Sequence, residues 1–202
     1  MKLLLVTTNS HKEAEVSGIL RLVGCELGLE CLEDVSAIEC GATYYQNAYR
    51  KAFAGHAVQC ARGHSEDVVF ADDSGLELPE LGGIPGIYSA RFTYQDLRER
   101  TALTRLLVDR GIASTPARFV CCVVAFVPWR AQCVACSGSV DGVVSPHPRG
   151  SGGFGYDPLF IPDGYDVTFS EMEPALKNTI SHRARAMGEL WSRVREHVGL
   201  GT

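Results

Sequence analysis

Apolar and polar positions change their period along this chain, and those changes mark out its elements. Residues 2–6 form a short apolar run that reads as a strand and gives way to the polar Thr7-Thr8-Asn9-Ser10. Val16, Ile19, Leu20 and Val23 then recur at helical spacing, so strand, polar turn and helix open the chain. Thr43 is placed to cap a second helix running to about His64. Val68-Val69-Phe70-Ala71 reads as a buried strand ended by Ser74-Gly75, and a long Gly/Pro loop follows at 79–86. A third helix is expected over about 95–109, with Leu103, Leu106 and Leu107 inward. From Ala117 to Val127 both alternating faces are apolar, as in a central strand, and 132–144 offers an antiparallel partner across a turn at Pro128-Trp129-Arg130. A short strand at 159–161 precedes a final helix striped by Met187, Leu190, Trp191, Val194 and Val198. Crossover helices mixed with a hairpin predict an α/β fold, a mixed twisted β-sheet flanked by helices, with its polar turns gathered at a cleft.

A chain of 202 residues with 46% hydrophobic content can bury a real core, as one large domain or as two lobes sharing a sheet. The net charge of −5 and the lack of a basic run longer than two residues argue against nucleic acid as a partner. The apolar start is far too short for a signal peptide or membrane span, so a soluble cytoplasmic protein without membrane attachment is expected. In that setting the eight cysteines are read mostly as reduced, buried thiols, the lone Cys133-Val-Ala-Cys136 included.

Candidate chemistry concentrates in four segments. Asp72 and Asp73 are delivered by an apolar run into Ser74-Gly75, which the pattern places at an exposed strand tip. Strand side chains point alternately to opposite faces, so these carboxylates should diverge and do separate jobs. Oxygen ligands of this kind suit magnesium, although Asp-Asp-Ser-Gly is also an ordinary polar turn. Thr7-Thr8-Asn9-Ser10-His11-Lys12 sets hydroxyls, an amide and an early lysine at a helix N-terminus, which favours phosphate or is simply a capped surface helix. Gly150-Ser151-Gly152-Gly153-Phe154-Gly155-Tyr156-Asp157-Pro158 reads as a backbone that lets a flat ligand approach beside aromatic faces, or as a flexible loop with structural aromatics. Lys177-Asn178-Thr179-Ile180-Ser181-His182-Arg183 puts two cations in the first turn of the last helix, where they oppose the dipole and ask for an acceptor such as a keto-bearing base or a phosphate, or it is a solvated basic turn with a neutral histidine. Glu39, Gln46, Asn47 and Lys51 lie on the second helix and its approach; Glu39 has the reach for a metal and Lys51 for a phosphate, or both are solvated.

In order along the chain, Thr7 to Lys12, Ala71-Asp72-Asp73-Ser74-Gly75-Leu76, Leu81-Gly82-Gly83-Ile84-Pro85-Gly86-Ile87-Tyr88-Ser89-Ala90-Arg91, Gly152 to Pro158, and Lys177-Asn178 with Ser181-His182-Arg183 resemble the inosine triphosphate pyrophosphatases, from residue 2 nearly to the end. The resemblance implies a single domain over 1–202 with two lobes and a central cleft, and a magnesium-dependent homodimer. It also implies hydrolysis of the purine nucleoside triphosphates dITP, ITP and XTP to monophosphate and pyrophosphate. Carried over, Asp73 is the general base, and Glu39 with Asp73 forms the magnesium side. Thr7, Thr8, Asn9, Ser10, His11 and Lys12 hold the triphosphate, Ser74 touches substrate, and Phe154, Gly155, Tyr156, Asp157, Lys177, His182 and Arg183 frame the base; Lys51 is counted with the substrate-binding residues for its reach to a phosphate. Thr8 stands where the family usually has glycine, and Gln46 where bacterial members often have glutamate. The rival readings are a Maf-type pyrophosphatase acting on dTTP or UTP, which needs a different substrate-side motif, and a catalytically silent nucleotide sensor.

Overall fold

Three leucines start the sheet. In the computed structural model, which describes residues 1–35, 39–128 and 133–198, β1 (Leu3–Leu5) leads through α1 (Ser10–Leu22) to β2 (Leu29–Cys31), and through α2 (Tyr44–Ala61) to β3 (Val68–Leu78). There follow β4 (Ile84–Pro85), β5 (Thr93–Tyr94), β6 (Leu97–Arg98), α3 (Glu99–Asp109), β7 (Thr115–Phe126), β8 (Val134–Val144), β9 (Phe160–Pro162), α4 (Pro174–Ile180) and α5 (His182–Val198). The main sheet has the order β2-β1-β3-β7-β8-β9, with β4 on β3, and β5 and β6 pair separately. Leu3 sits opposite both Leu29 and Val68 in parallel pairing, whereas β4 on β3 and β9 on β8 are antiparallel. The sheet is therefore mixed, with helices as connectors, as the pattern of periods predicts.

The chain forms two compact units, one from Met1–Asp73, Cys121–Gly138 and α5 from Arg183, the other from Ser74–Val120 and Ser139–His182. In the first unit, strand alternation sorts two apolar layers. Leu3, Leu5, Val68, Phe70, Cys121 and Val123 pack with Val16 and Ile19 of α1 and with Met187, Leu190, Trp191 and Val194 of α5. Leu4, Val6, Val69, Ala71, Cys122 and Val124 face Ala48 and Ala52 of α2 instead. Small residues let α2 lie close: a Cβ on Gly55 would come within 2.5 Å of Val6 Cγ2. The second unit is built on Leu76, Leu78, Leu103, Leu106, Leu107, Phe119, Phe160 and Phe169. Each fully buried side chain of this size contributes about 1.5–3 kcal/mol relative to exposure.

Four expectations need correction. β3 does not end at Ser74-Gly75 but continues to Leu78, so Asp72 and Asp73 stand inside a strand at 2% and 6% exposure rather than at an exposed tip. The second helix ends at Ala61 because Gly63 turns left-handed (φ 81°); its N–H reaches Cys60 O and that of His64 reaches Gln59 O, a Schellman closure. The third helix begins only at Glu99, since 93–98 form a tight hairpin around Gln95 and Asp96 at φ 48° and 62°. The 79–86 loop holds a short 3-10 turn, Pro79–Leu81, and β4. Trp129, Arg130 and the Val198 side chain lie outside the described residues.

Candidate active site

β3 divides its two aspartates by alternation. Asp72 continues the Val68, Phe70 face toward α1 and α5, and Asp73 continues the Val69, Ala71 face toward α2. On the first face the oxygen Oδ2 of Asp72 accepts from Lys12 Nζ at 3.1 Å and from Arg183 Nε and a terminal guanidinium nitrogen at 3.3 and 3.2 Å. Arg183 also donates to Glu15, one helical turn beyond Lys12 on the buried side of α1. On the second face Asp73 Oδ2 accepts from Asn47 Nδ2 at 2.9 Å, while Lys51 Nζ lies 2.7 Å from Glu39 Oε1 and 3.8 Å from Asp73 Oδ1. Asn47 is fixed in turn by the Gly41 N–H, 2.8 Å from its Oδ1.

These surroundings separate the two acids. Burial alone would push the Asp72 carboxyl up, but Lys12, Arg183 and Lys51 outweigh it and hold Asp72 far below the usual carboxylate range. At Asp73 burial wins over Lys51 and Asn47, with Glu39 adding to it, and the carboxyl is raised. Asp72 is thus a fixed anion and Asp73 the more basic carboxylate. Burial works against the charge on Lys51, yet Asp72, Asp73 and Glu39 more than offset it.

The turn after β1 supports the same place in the first unit. Asn9 caps α1, its Oδ1 accepting from the N–H of His11 (3.0 Å) and Lys12 (3.2 Å), and Thr7 Oγ1 accepts from Asn9 N at 3.1 Å. Thr8, Ser10 and His11 are exposed. Gln46 spends its amide oxygen on Ala42 N at 2.7 Å, while Thr43 Oγ1 caps Gln46 N at 3.1 Å. Position 46 therefore serves the start of α2.

In the second unit the glycine-rich loop is tied down from within. Asp157 Oδ2 accepts from Lys177 Nζ at 2.7 Å and from Phe154 N at 2.8 Å, and the Lys177 ammonium lies over the Phe154 and Phe169 rings at 5.3 and 5.5 Å. Gly153 (φ 66°) is required there, because a Cβ would meet Asp157 Oδ2 at 2.2 Å. The Tyr156 hydroxyl donates to Ser89 O at 2.8 Å, and burial drives its ionisation well upward. His182 is buried and stacks on Phe119 at 4.7 Å between centroids. Gly155 and Ser74 are half-buried.

Of the expected site residues, the structure gathers Lys12 with Arg183 on Asp72, gathers Glu39, Lys51 and Asp73 together, and gathers Phe154, Asp157 and Lys177. The acceptor that Arg183 was expected to find in a ligand is provided by Asp72 and Glu15. Sequence reasoning missed Glu15, whose signal was a carboxylate at an inward position of α1, and left Asn47 unassigned, although it is fully buried on α2.

Fold and site define a class: an α/β protein with acidic residues and lysines gathered near the carboxyl ends of parallel strands, where open α/β sheets bind ligands. The profile of the Ham1 family matches residues 3–193, and the chain belongs to that family. It is 37% identical to a dITP/XTP pyrophosphatase of Sulfurimonas denitrificans, over 93% of this chain and 95% of that protein. It is also 37% identical to the dITP/XTP pyrophosphatase of Aquifex aeolicus, over 94% and 95%. The structure of the Staphylococcus aureus Ham1 protein superposes with a TM-score of 0.78 at 28% identity, covering 97% of this chain and all (100%) of that one.

Proposed function

We propose that this chain hydrolyses the non-standard purine nucleoside triphosphates dITP, ITP and XTP to the monophosphate and pyrophosphate, keeping them out of DNA and RNA. The observation that carries the reading is Asp73: a buried carboxylate made more basic by its surroundings, held by Asn47 and set beside Lys51 and Glu39. A water oxygen attacks the α-phosphorus while Asp73 takes its proton. The bond from that phosphorus to the bridging oxygen breaks, and the electron pair leaves on pyrophosphate. No covalent intermediate is needed, so the work is positioning and charge neutralisation. Contact with Asp72 engages one donor of the three on the Lys12 ammonium, which can also meet phosphate oxygens.

Magnesium fits the Asp73 face. Glu39 and Asp73 offer oxygen donors that converge on one cation, the Lys51 ammonium, and two carboxylates there face a single lysine. Glu39 and Asp73 would hold the ion, which when bound adds positive charge against the triphosphate oxygens. The purine 6-keto oxygen is assigned to the residues that the resemblance sets around the base, Lys177, His182 and Arg183, whose N–H groups are donors. ATP would turn its amino group toward donors, a mismatch that hydrogen-bonding sites reject by about 10⁴–10⁵.

The resemblance further supports a homodimer, which light scattering in solution tests. A cytoplasmic setting is part of the same proposal. Among the described residues no helix is long and apolar enough to cross a membrane. The direct test of the reading is Asp73→Asn. Turnover of dITP should fall about 10²–10⁴-fold, the usual contribution of a positioned base, with nucleotide binding largely kept. Activity equal to the parent would contradict the assignment.

A further inference from the structure

Asp72 is not accounted for by proton transfer or by metal binding, yet it is among the most enclosed charged groups of the first unit, at 2% exposure. Its oxygen Oδ2 alone receives Lys12 from α1 at 3.1 Å and Arg183 from α5 at 3.2 and 3.3 Å. Two cations held on one oxygen are close enough to repel each other, and the carboxylate between them is what lets both stay. Glu15 takes the far side of the same guanidinium, so Arg183 is fixed by two carboxylates in a fork that guanidinium geometry favours. The result is a neutral set of two cations and two anions that leaves α1 and α5 no freedom to swing either head away.

We propose that Asp72 is a positioning residue for the hydrolysis: braced by the buried Arg183, its oxygen Oδ2 anchors Lys12, the more exposed of the two cations, and presets it for the incoming nucleotide. The proposal rests on the pyrophosphatase reading above. Donors fixed before binding lose less freedom when the ligand arrives, so their loss appears in substrate affinity more than in the chemical step. Lys12 and Arg183 come from opposite ends of the chain, and Asp72 is the group they share. Its neighbour Asp73, one residue on and facing α2, is left to act on water.

Asp72→Asn keeps the shape of the side chain and removes its charge. With magnesium and dITP, this variant should show KM raised about 10–100-fold and kcat changed less than about threefold, whereas Asp73→Asn lowers kcat. Acting through Lys12 also predicts non-additivity: in a Lys12→Ala background the Asn change should add little to KM. A fall in kcat with unchanged KM, or full additivity with Lys12→Ala, would overturn the proposal. If Asp72→Asn does not fold, Glu15→Gln carries the test, with a smaller rise of KM expected and no change in KM contradicting it. Should the parent release no pyrophosphate from any triphosphate, the functional reading fails by itself. The positioning role is then read from dITP binding by calorimetry, weakened in Asp72→Asn if the role holds and equal to the parent if it does not.

Discussion

Asp72 and Asp73 have the same side chain one position apart, and strand geometry gives them opposite surroundings: cations from α1 and α5 on one, an amide and a single lysine from α2 on the other. That the two side chains face opposite sides was legible in the sequence from alternation alone. Their burial was not, because Asp-Asp-Ser-Gly carries the residue types of a turn, and only partners from distant segments make it a strand interior. The same dependence on distant partners makes Gly153 essential. Any side chain there collides with the Asp157 carboxylate that holds Lys177 and the Phe154 N–H. Gly153→Ala is expected to cost about 1–3 kcal/mol of stability through strain and to raise KM for dITP, since the loop and Lys177 lose their anchor. Thermal melts and steady-state kinetics check both effects, and a variant indistinguishable from the parent would show that the loop has room the structure does not give it.

Among the elements, those with long apolar periods were read correctly. The α3 leucines, the β7 run and the α5 stripe from Met187 to Val194 are buried where the periodicity put them. Short elements escaped: β2 has three half-exposed or exposed residues and shows no period, and α4 is seven residues entered through Pro174. The β5–β6 hairpin was hidden because Gln95 and Asp96 hold positive φ without the glycine that usually announces such a turn. The α1 start shows a local signal that served two purposes. Asn9 is a helix cap in the structure, and by ordering the turn after β1 it also orients Lys12 toward Asp72. Asn9→Ala should therefore destabilise by about 1 kcal/mol, the ordinary value of a lost cap, lowering Tm by about 2–4 °C for a chain of this size. A denaturant or thermal melt measures it; an unchanged midpoint would mean that the cap contributes nothing.

For the whole molecule, the mixed α/β sheet followed from the pattern of periods and the family from five motifs in order over nearly the full chain, and membership of the Ham1 family over residues 3–193 agrees with that reading. What the sequence could not provide was the charge arithmetic. The Asp72 face is neutral, with Lys12 and Arg183 against Asp72 and Glu15, whereas the Asp73 face sets Lys51 against Asp73 and Glu39. The unbalanced face is also the one with the raised carboxyl, and it is the face to which the proposed function assigns magnesium. The measurement that bears most directly on this account is pyrophosphate release from dITP, XTP, GTP, ATP and dTTP, each with and without magnesium. Magnesium-dependent release confined to dITP and XTP is the expected result. Turnover of dTTP, appreciable turnover of GTP or ATP, or release that ignores magnesium would contradict it.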